Sequence, residues 1–233
     1  MRRGWVAAGC VCLAIGWSSP LRAAQSAPMI LAIGNTAFLN ASAIQAATGA
    51  EVKIDLERSK LTDFAVILLA NVAYSSLPEA LQQGLVEYVS AGGSLLLTGG
   101  PQGFGSGGYQ AVAPLVPFQI RFDSDWRVTP FRPPVTLQPG HPILAGVEFI
   151  TVGAVNDMNP RPDATEIVRA AGGGSAGTVS YPYPLIAEIG VGAGRVLGIA
   201  FDLNEFAGMR DRGRFIQNTI TYLQSMSRLG RNR

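Results

Sequence analysis

Residues 86–108 read VEYVSAGGSLLLTGGPQGFGSGG. The stretch runs from the end of a helix, through a glycine pair, along a strand and into a glycine-rich loop. Upstream, Leu77, Leu81, Leu85 and Val89 recur every four residues and mark one apolar helix face. Ser76-Leu77-Pro78-Glu79 predicts the start of that helix, with Ser76 as cap, proline in the first turn and glutamate three places on. Gly92-Gly93 predicts its end, because glycine accepts the left-handed conformation that stops a helix. Ser94–Thr98 is uncharged and does not alternate, as a strand buried on both faces requires. Six glycines then fall at 99, 100, 103, 105, 107 and 108.

The same pattern extends outward. Phe64–Leu69 (FAVILL) is the clearest buried strand, followed by Asn71, and Met29–Ile33 (MILAI) is another, ended by Gly34-Asn35. Residues 41–48 are alanine-rich and helical up to Gly49, and Glu51–Asp55 alternates as a strand does. The order β-α-β-β-α-β, with apolar strands, predicts an α/β fold: a mostly parallel sheet with helices on both faces. Residues 99–140 are irregular and hold Pro114, Pro117, Pro130, Pro133, Pro134 and Pro139, with short strands expected at Gln119–Phe122 and Val135–Leu137. His141-Pro142-Ile143-Leu144 starts a short turn or helix. Strands follow at Thr165–Ala170, Pro184–Ile189 and Arg195–Phe201, the last two joined as a hairpin across Gly190–Gly194. Phe206–Arg228 is the expected final helix, its buried stripe marked by Ile216, Ile220 and Leu223. No repeat and no linker divides the chain.

The chain has 233 residues, 48% hydrophobic and only 15% charged, enough for a sizeable core. Its first 23 residues read as a signal peptide. Arg2 and Arg3 precede the apolar Trp5–Trp17, and Ser18-Ser19-Pro20 and Leu21-Arg22-Ala23 offer a break and a cleavage site. The apolar run is shorter than the roughly 20 residues that span a bilayer, so no stable membrane span is expected after cleavage. Cleavage at Ala23 predicts an exported bacterial protein, periplasmic or secreted, with one domain over residues 24–233. Cys10 and Cys12 leave with the signal, so the mature chain has no thiol and no disulfide. Arg2, Arg3 and Arg22 leave too, so 15 Lys+Arg remain against 16 Asp+Glu and the net charge falls to about −1. That balance gives no argument for nucleic acid.

The glycine loop has three readings. A dinucleotide site would place its glycines after the first strand, with an acid about 20 residues on. Here the loop follows a later strand, precedes a proline-broken segment and lacks Gly-Lys-Ser or Gly-Lys-Thr. A nucleophile elbow would need a reactive side chain at a sharp strand-to-helix turn. Leu97-Thr98-Gly99-Gly100-Pro101 supplies the turn but puts glycine at the reactive place, with Thr98 and Ser106 as the nearest hydroxyls. His141, the single histidine of the chain, would have to serve any hydroxyl–histidine pair. The third reading is a scaffold loop, with Phe104 and Tyr109 folded back over the rim.

Several stretches together resemble the class I glutamine amidotransferase-like family, in its degenerate branch. They are Asp63–Leu69, Leu77-Pro-Glu-Ala-Leu, Val86–Gly100, Gly103–Tyr109, His141-Pro-Ile-Leu and Gly192–Asp202. The resemblance covers roughly residues 29–225 and implies a flavodoxin-like sheet. It also implies a cysteine at the elbow, with histidine and glutamate partners late in the chain. This sequence departs there. Gly99 and Gly100 stand at the elbow, and Asp202 and Glu205 stand where the late histidine would be. Without a thiolate the family's glutaminase chemistry has no nucleophile.

The resulting expectation is a binding or assembly module without catalysis, serving a protein partner or a small ligand and needing no cofactor and no metal. Its ligand-binding rim would gather Asn35, Asn71, Gly99, Gly100, Gly103, Gly105 and Tyr109 at the carboxyl ends of the strands. Taken singly, Asn35 and Asn71 read as turn formers and Asp202 as a cap of the last helix. The alternative is a hydrolase using His141, Asp202 and Glu205. A sugar-binding module would need Trp126, Tyr181 and Tyr183 on one face. Asp123, Asp125, Trp126 and Arg127 read as an ordinary surface loop, and Asp123-Ser-Asp125 lacks the further oxygens of a calcium loop. Arg210–Arg214 reads as a solvated helix start.

Overall fold

A computed structural model describes residues 27–57, 59–128, 134–149, 152–170, 183–205 and 209–229. The expected signal segment with Cys10 and Cys12, together with Pro130, Pro133, Tyr181 and Phe206, lies outside the described residues. The first half follows the predicted order: β1 (Met29–Gly34), α1 (Ala41–Thr48), β2 (Glu51–Lys53), β3 (Phe64–Ala70), α2 (Glu79–Ser90) and β4 (Ser94–Thr98). Three short strands follow in the irregular region: β5 (Phe118–Ile120), β6 (Trp126–Val128) and β7 (Pro134–Thr136). The second half adds β8 (Glu148–Phe149), β9 (Ala154–Asn156), β10 (Met158–Pro160), β11 (Thr165–Ala170), β12 (Pro184–Val191), β13 (Gly194–Ile199), β14 (Met209–Arg210) and α3 (Arg212–Met226).

Eight strands form the main sheet in the order β2-β1-β3-β4-β13-β12-β11-β7. The first five are parallel, the flavodoxin-like 2-1-3-4-5 arrangement. The last three turn antiparallel, beginning with the predicted β12–β13 hairpin. All seven residues of β3 and all five of β4 are buried, which explains their uninterrupted apolar spelling. Three two-stranded pairs, β5–β10, β6–β9 and β8–β14, stand outside the main sheet.

Two apolar clusters cover the sheet's two faces. On one, Ile44 of α1 and Phe215, Ile216, Ile220 and Leu223 of α3 pack on Ile30, Leu68, Leu96 and Leu197. On the other, Leu81, Leu85, Tyr88 and Val89 of α2 pack on Leu31, Leu69, Leu95 and Leu97, joined by Phe104, Tyr109, Val112 and Phe118. The helix ends have identifiable causes. Asn40 caps α1 by accepting from the Ala43 N–H at 3.0 Å, and Gly49, with φ 70°, ends it.

Two expected boundaries are corrected. Ser76 does not cap α2: residues 74–76 form their own 3₁₀ turn, and Pro78 takes the cap position without a side-chain bond. The final helix begins at Arg212, with Asp211 as its cap residue, so Asp202 caps no helix. Among the described residues no helix is long and apolar enough to cross a membrane.

Leu81 is fully buried between α2 and the sheet. Leu81→Ala is expected to lower unfolding free energy by about 2–5 kcal/mol, read as a lower urea midpoint with an unchanged slope.

Candidate functional site at the carboxyl ends of the parallel strands

The parallel strands end side by side, and their ends are tied together. Asn35 N–H donates to the Ala70 carbonyl at 2.7 Å, and Gly99 N–H to that of Ile199 at 2.7 Å. In open α/β sheets this edge is where ligands bind. Asn71 follows β3 with φ 41°, an uncommon conformation for a residue with a side chain. Its amide is held at both ends. Nδ2 donates to Asp202 Oδ2 at 2.8 Å, and Oδ1 accepts from the Gln102 N–H at 2.8 Å. Asp202 is buried, and its Oδ1 also accepts from the backbone N–H of Asn204 at 2.8 Å and from its Nδ2 at 3.2 Å. Asn204 Nδ2 reaches the Asn35 carbonyl at 2.7 Å. Asn35, Asn71, Asp202 and Asn204 are therefore one connected network. Glu205 is exposed beside it.

The glycine loop closes on the chain's own side chains. Asp125 is completely buried, which corrects its reading as a surface-loop residue; Asp123, Ser124 and Arg127 are exposed. Its Oδ2 accepts from Gly105 N–H at 2.9 Å. Its Oδ1 accepts from Ser106 N–H at 2.9 Å, Ser106 Oγ–H at 2.8 Å and Asn156 Nδ2 at 2.8 Å. Every one of these donors is neutral. Backbone N–H groups of a glycine turn aimed at an anion are what a phosphate loop supplies. Here the anion is a carboxylate 20 residues on in the same chain.

Asn156, also fully buried, ties the loop from beneath. Its Oδ1 accepts from Gly100 N–H at 2.9 Å, and Nδ2 also reaches the carbonyls of Gly100 at 3.2 Å and Gly103 at 3.4 Å. Its own N–H donates to the Ala200 carbonyl at 2.8 Å, which fastens β9 to the extension of β13. Ser106, one of the two hydroxyls near the elbow, is engaged with Asp125 on both sides: its Oγ also accepts the Asp125 N–H at 3.0 Å. Phe104 and Tyr109 are buried in the α2-side core, and Tyr109 Oη donates to the Val72 carbonyl at 3.0 Å.

The elbow itself has no room for a side chain. A Cβ on Gly99 would run into Asn156 Oδ1 and the Ala200 carbonyl. Gly100 has φ 135°, which side-chain-bearing residues rarely adopt, and its Cβ would fall on the Asn71 amide.

His141 stands apart from this edge. Its Nε2 lies 3.7 Å from Glu188 Oε2, its ring packs edge-on to Tyr222 at 4.8 Å, and its Nδ1 accepts weakly from Ile143 N–H at 3.4 Å. Tyr222 Oη donates to the same Glu188 oxygen at 2.6 Å, and Arg195 lies 3.6 Å from the other. Among the described residues, His141 touches neither Asp202 nor Glu205. Burial pushes the imidazole below its ordinary 6.5, against the opposing pull of Glu188. Burial also raises the Tyr222 hydroxyl well above its ordinary range, with help from Glu188. Trp126 and Tyr183 are both half-buried, Tyr183 against the α3-side core. The basic run is occupied as well: Arg210 meets Glu148 at 3.2 Å, and Arg212 and Arg214 donate to the carbonyls of Leu203 and Gly146. No cluster of three or more potential metal ligands occurs among the described residues.

The described residues thus define a mixed α/β domain of the flavodoxin-like kind, with glycines at the elbow and an amide-lined strand edge. Solved structures share this fold. They include a cytoplasmic protein from Salmonella typhimurium, with TM-score 0.61, 14% identity and coverage of 86% of this chain and 99% of that one. A ThuA-like protein from Bacteroides uniformis matches with TM-score 0.56 and 13% identity over 90% of this chain and 97% of its own. A β-galactosidase from Bacillus circulans sp. alkalophilus matches with TM-score 0.55 and 13% identity; 85% of this chain covers 31% of that one. At these identities the likeness is one of fold. No family model matches the chain, and no curated protein does.

Two outcomes follow. Asp125→Ala leaves two backbone N–H groups and the Asn156 amide without their acceptor, at an expected cost of about 3 kcal/mol or more. Faster hydrogen exchange at Gly105 and Ser106 would locate the loss, and unchanged exchange there would contradict this account of the loop. For His141 the sign follows from its lowered folded value. Below about pH 6.5 the unfolded chain takes up the proton more readily than the folded one. Stability therefore falls as pH drops from 6.5 toward the folded value. Urea midpoints measured across that window should decline, and His141→Gln should flatten the decline.

Proposed function

We propose that this chain is an exported, non-catalytic member of the class I glutamine amidotransferase-like group. Its strand-end rim would take a protein partner or a small ligand. One observation carries the non-catalytic part. The space that a nucleophile at the elbow would need is filled by the Asn71 and Asn156 side chains. A change of residue alone would therefore not supply a nucleophile, because a Cβ at either glycine meets these neighbours. The export part rests on the charged, apolar and small-residue order of residues 1–23.

The outward-facing groups at the rim are Asn35, Gln102 and Glu205, with Asn204 half-buried among them. Such groups suit hydroxyls and amides, the chemistry of sugars and of peptide surfaces. A hydrolase using His141, Asp202 and Glu205 would need those side chains to converge. His141 is instead committed to Glu188 and Tyr222, and Asp202 to Asn71 and Asn204.

The wild-type chain is expected to release no ammonia from glutamine. Gly100→Cys is expected to gain none and to lose about 2–4 kcal/mol of stability from overpacking and backbone strain. Ammonia release by the wild type would overturn the non-catalytic reading, and release by Gly100→Cys would overturn the packing argument behind it. The binding part is tested by thermal unfolding with glutamine, simple sugars and phosphate. A rim ligand at 100 times its Kd should stabilise the fold by about 2.7 kcal/mol, and Asn204→Ala should abolish the shift.

A further inference from the structure

A groove of about 600 Å³ lies away from the rim. Its lining has an unusual feature: Phe118, Gln119 and Ile120, all of β5, take part in it. Successive residues of a strand point to opposite faces, so a cavity on one face would be lined by alternate residues. A cavity lined by three in a row runs along the strand's edge. The partner strand agrees with this, since no residue of β10 lines the groove. β5 pairs with β10 and with no other strand among the described residues. In an antiparallel pair, alternate residues turn both N–H and C=O away from the partner. The free edge of β5 therefore turns at least one donor and one acceptor toward this groove.

The walls suit a particular occupant. Ala113, Pro114 and Pro162 in its lining are exposed and apolar, and Val116 is buried. Their charged neighbours are already neutralised. Arg161 is held by Asp163 through Nε and Nη2, and its Nη1 donates to the carbonyls of Ala113, Pro114 and Val116 at 3.1, 3.2 and 2.9 Å. These bonds also hold the wall in place, so the groove is preformed.

We propose that this groove binds an extended, uncharged peptide segment, which adds as a strand to the free edge of β5 and seats small apolar side chains against Ala113, Pro114 and Pro162. Main-chain hydrogen bonds would give the affinity and the apolar walls the preference, as in other strand-addition sites. The site lies outside the rim network, so it stands or falls independently of the function proposed above.

A displayed library of random hexapeptides, selected on the wild-type chain and counter-selected on Ala113→Trp, tests the proposal. Ala113 is exposed, so the tryptophan fills the groove and leaves the core intact. Thermal unfolding of the variant checks that point. The expected result is enrichment of uncharged peptides rich in Val, Ile, Ala and Thr. A synthetic copy of the best one should shift the backbone amide signals of Gln119 and Ile120. Methylating one ladder-forming backbone nitrogen of that peptide should weaken binding at least tenfold. Failure to enrich any groove-dependent peptide, or selected peptides indifferent to every single backbone methylation, would overturn it. Selection of charged sequences would do the same.

Discussion

A buried carboxylate must be hydrogen-bonded, or the fold pays several kcal/mol for it. Asp125 meets that condition through the glycine loop, and the loop in turn takes its shape from Asp125. Each needs the other: the loop's N–H groups would be orphaned donors, and the carboxylate an orphaned acceptor. Asn156 completes the arrangement by accepting from Gly100 and donating to Asp125 in one side chain. The position of the elbow, the orientation of Gly99 and Gly100 and the connection from β9 to β13 all rest on this set of bonds. Charge-assisted bonds of this kind are stronger than those between neutral groups, so four of them hold a loop of little intrinsic rigidity.

Above that closed layer lies a second polar network, Asn71–Asp202–Asn204–Asn35, which ends in solvent-exposed groups. The two layers differ in what remains available. In the lower one Asp125, Asn156 and Ser106 are taken up internally. The upper one presents amides at the surface and keeps its carboxylate beneath them. Asn71 belongs to the upper layer but also blocks the elbow, and its left-handed backbone is held by bonds at both ends of its side chain. The proposal of recognition without chemistry at this edge draws on both layers.

Much of the first half was legible in the sequence, because buried parallel strands have a simple spelling. FAVILL and SLLLT admit no surface reading, and Glu79, Gln83 and Glu87, which would share a strand face with Leu77, Leu81, Leu85 and Val89, rule a strand out there. The hairpin of β12 and β13 was legible for its glycine turn. Helix ends were less so. Ser76 fits the capping pattern, yet the 3₁₀ turn over 74–76 leaves it two residues before the cap position at Pro78. The site was legible only as a place. Asn35, Asn71 and Asp202 meet because strand ends meet, but Asn71 and Asp202 are 131 residues apart, and no local pattern pairs them. Asp125 looked like any acid in a polar loop. The one usable signal was on the other side, where six glycines left several N–H groups in need of an acceptor. Asn156, 56 residues from Gly100, carried none.

His141 shows why residue type is a weak guide to role. A lone histidine in a chain of 233 residues invites a catalytic assignment. Its surroundings argue for a structural one. Glu188 sits on β12, Tyr222 on α3, and His141 on the turn before the 3₁₀ segment 142–144, so one carboxylate gathers three separate parts of the fold. A general base needs a reacting group within reach and space for it. Both ring nitrogens of His141 instead face groups of the fold: Nδ1 an Ile143 N–H, and Nε2 the Glu188 carboxylate. The Arg195 guanidinium, on the far side of Glu188, gives the lowered affinity for a proton a second cause besides burial. The histidine therefore fastens the His141–Leu144 turn to the α3 face of the sheet, apart from the amides and carboxylates of the strand-end rim.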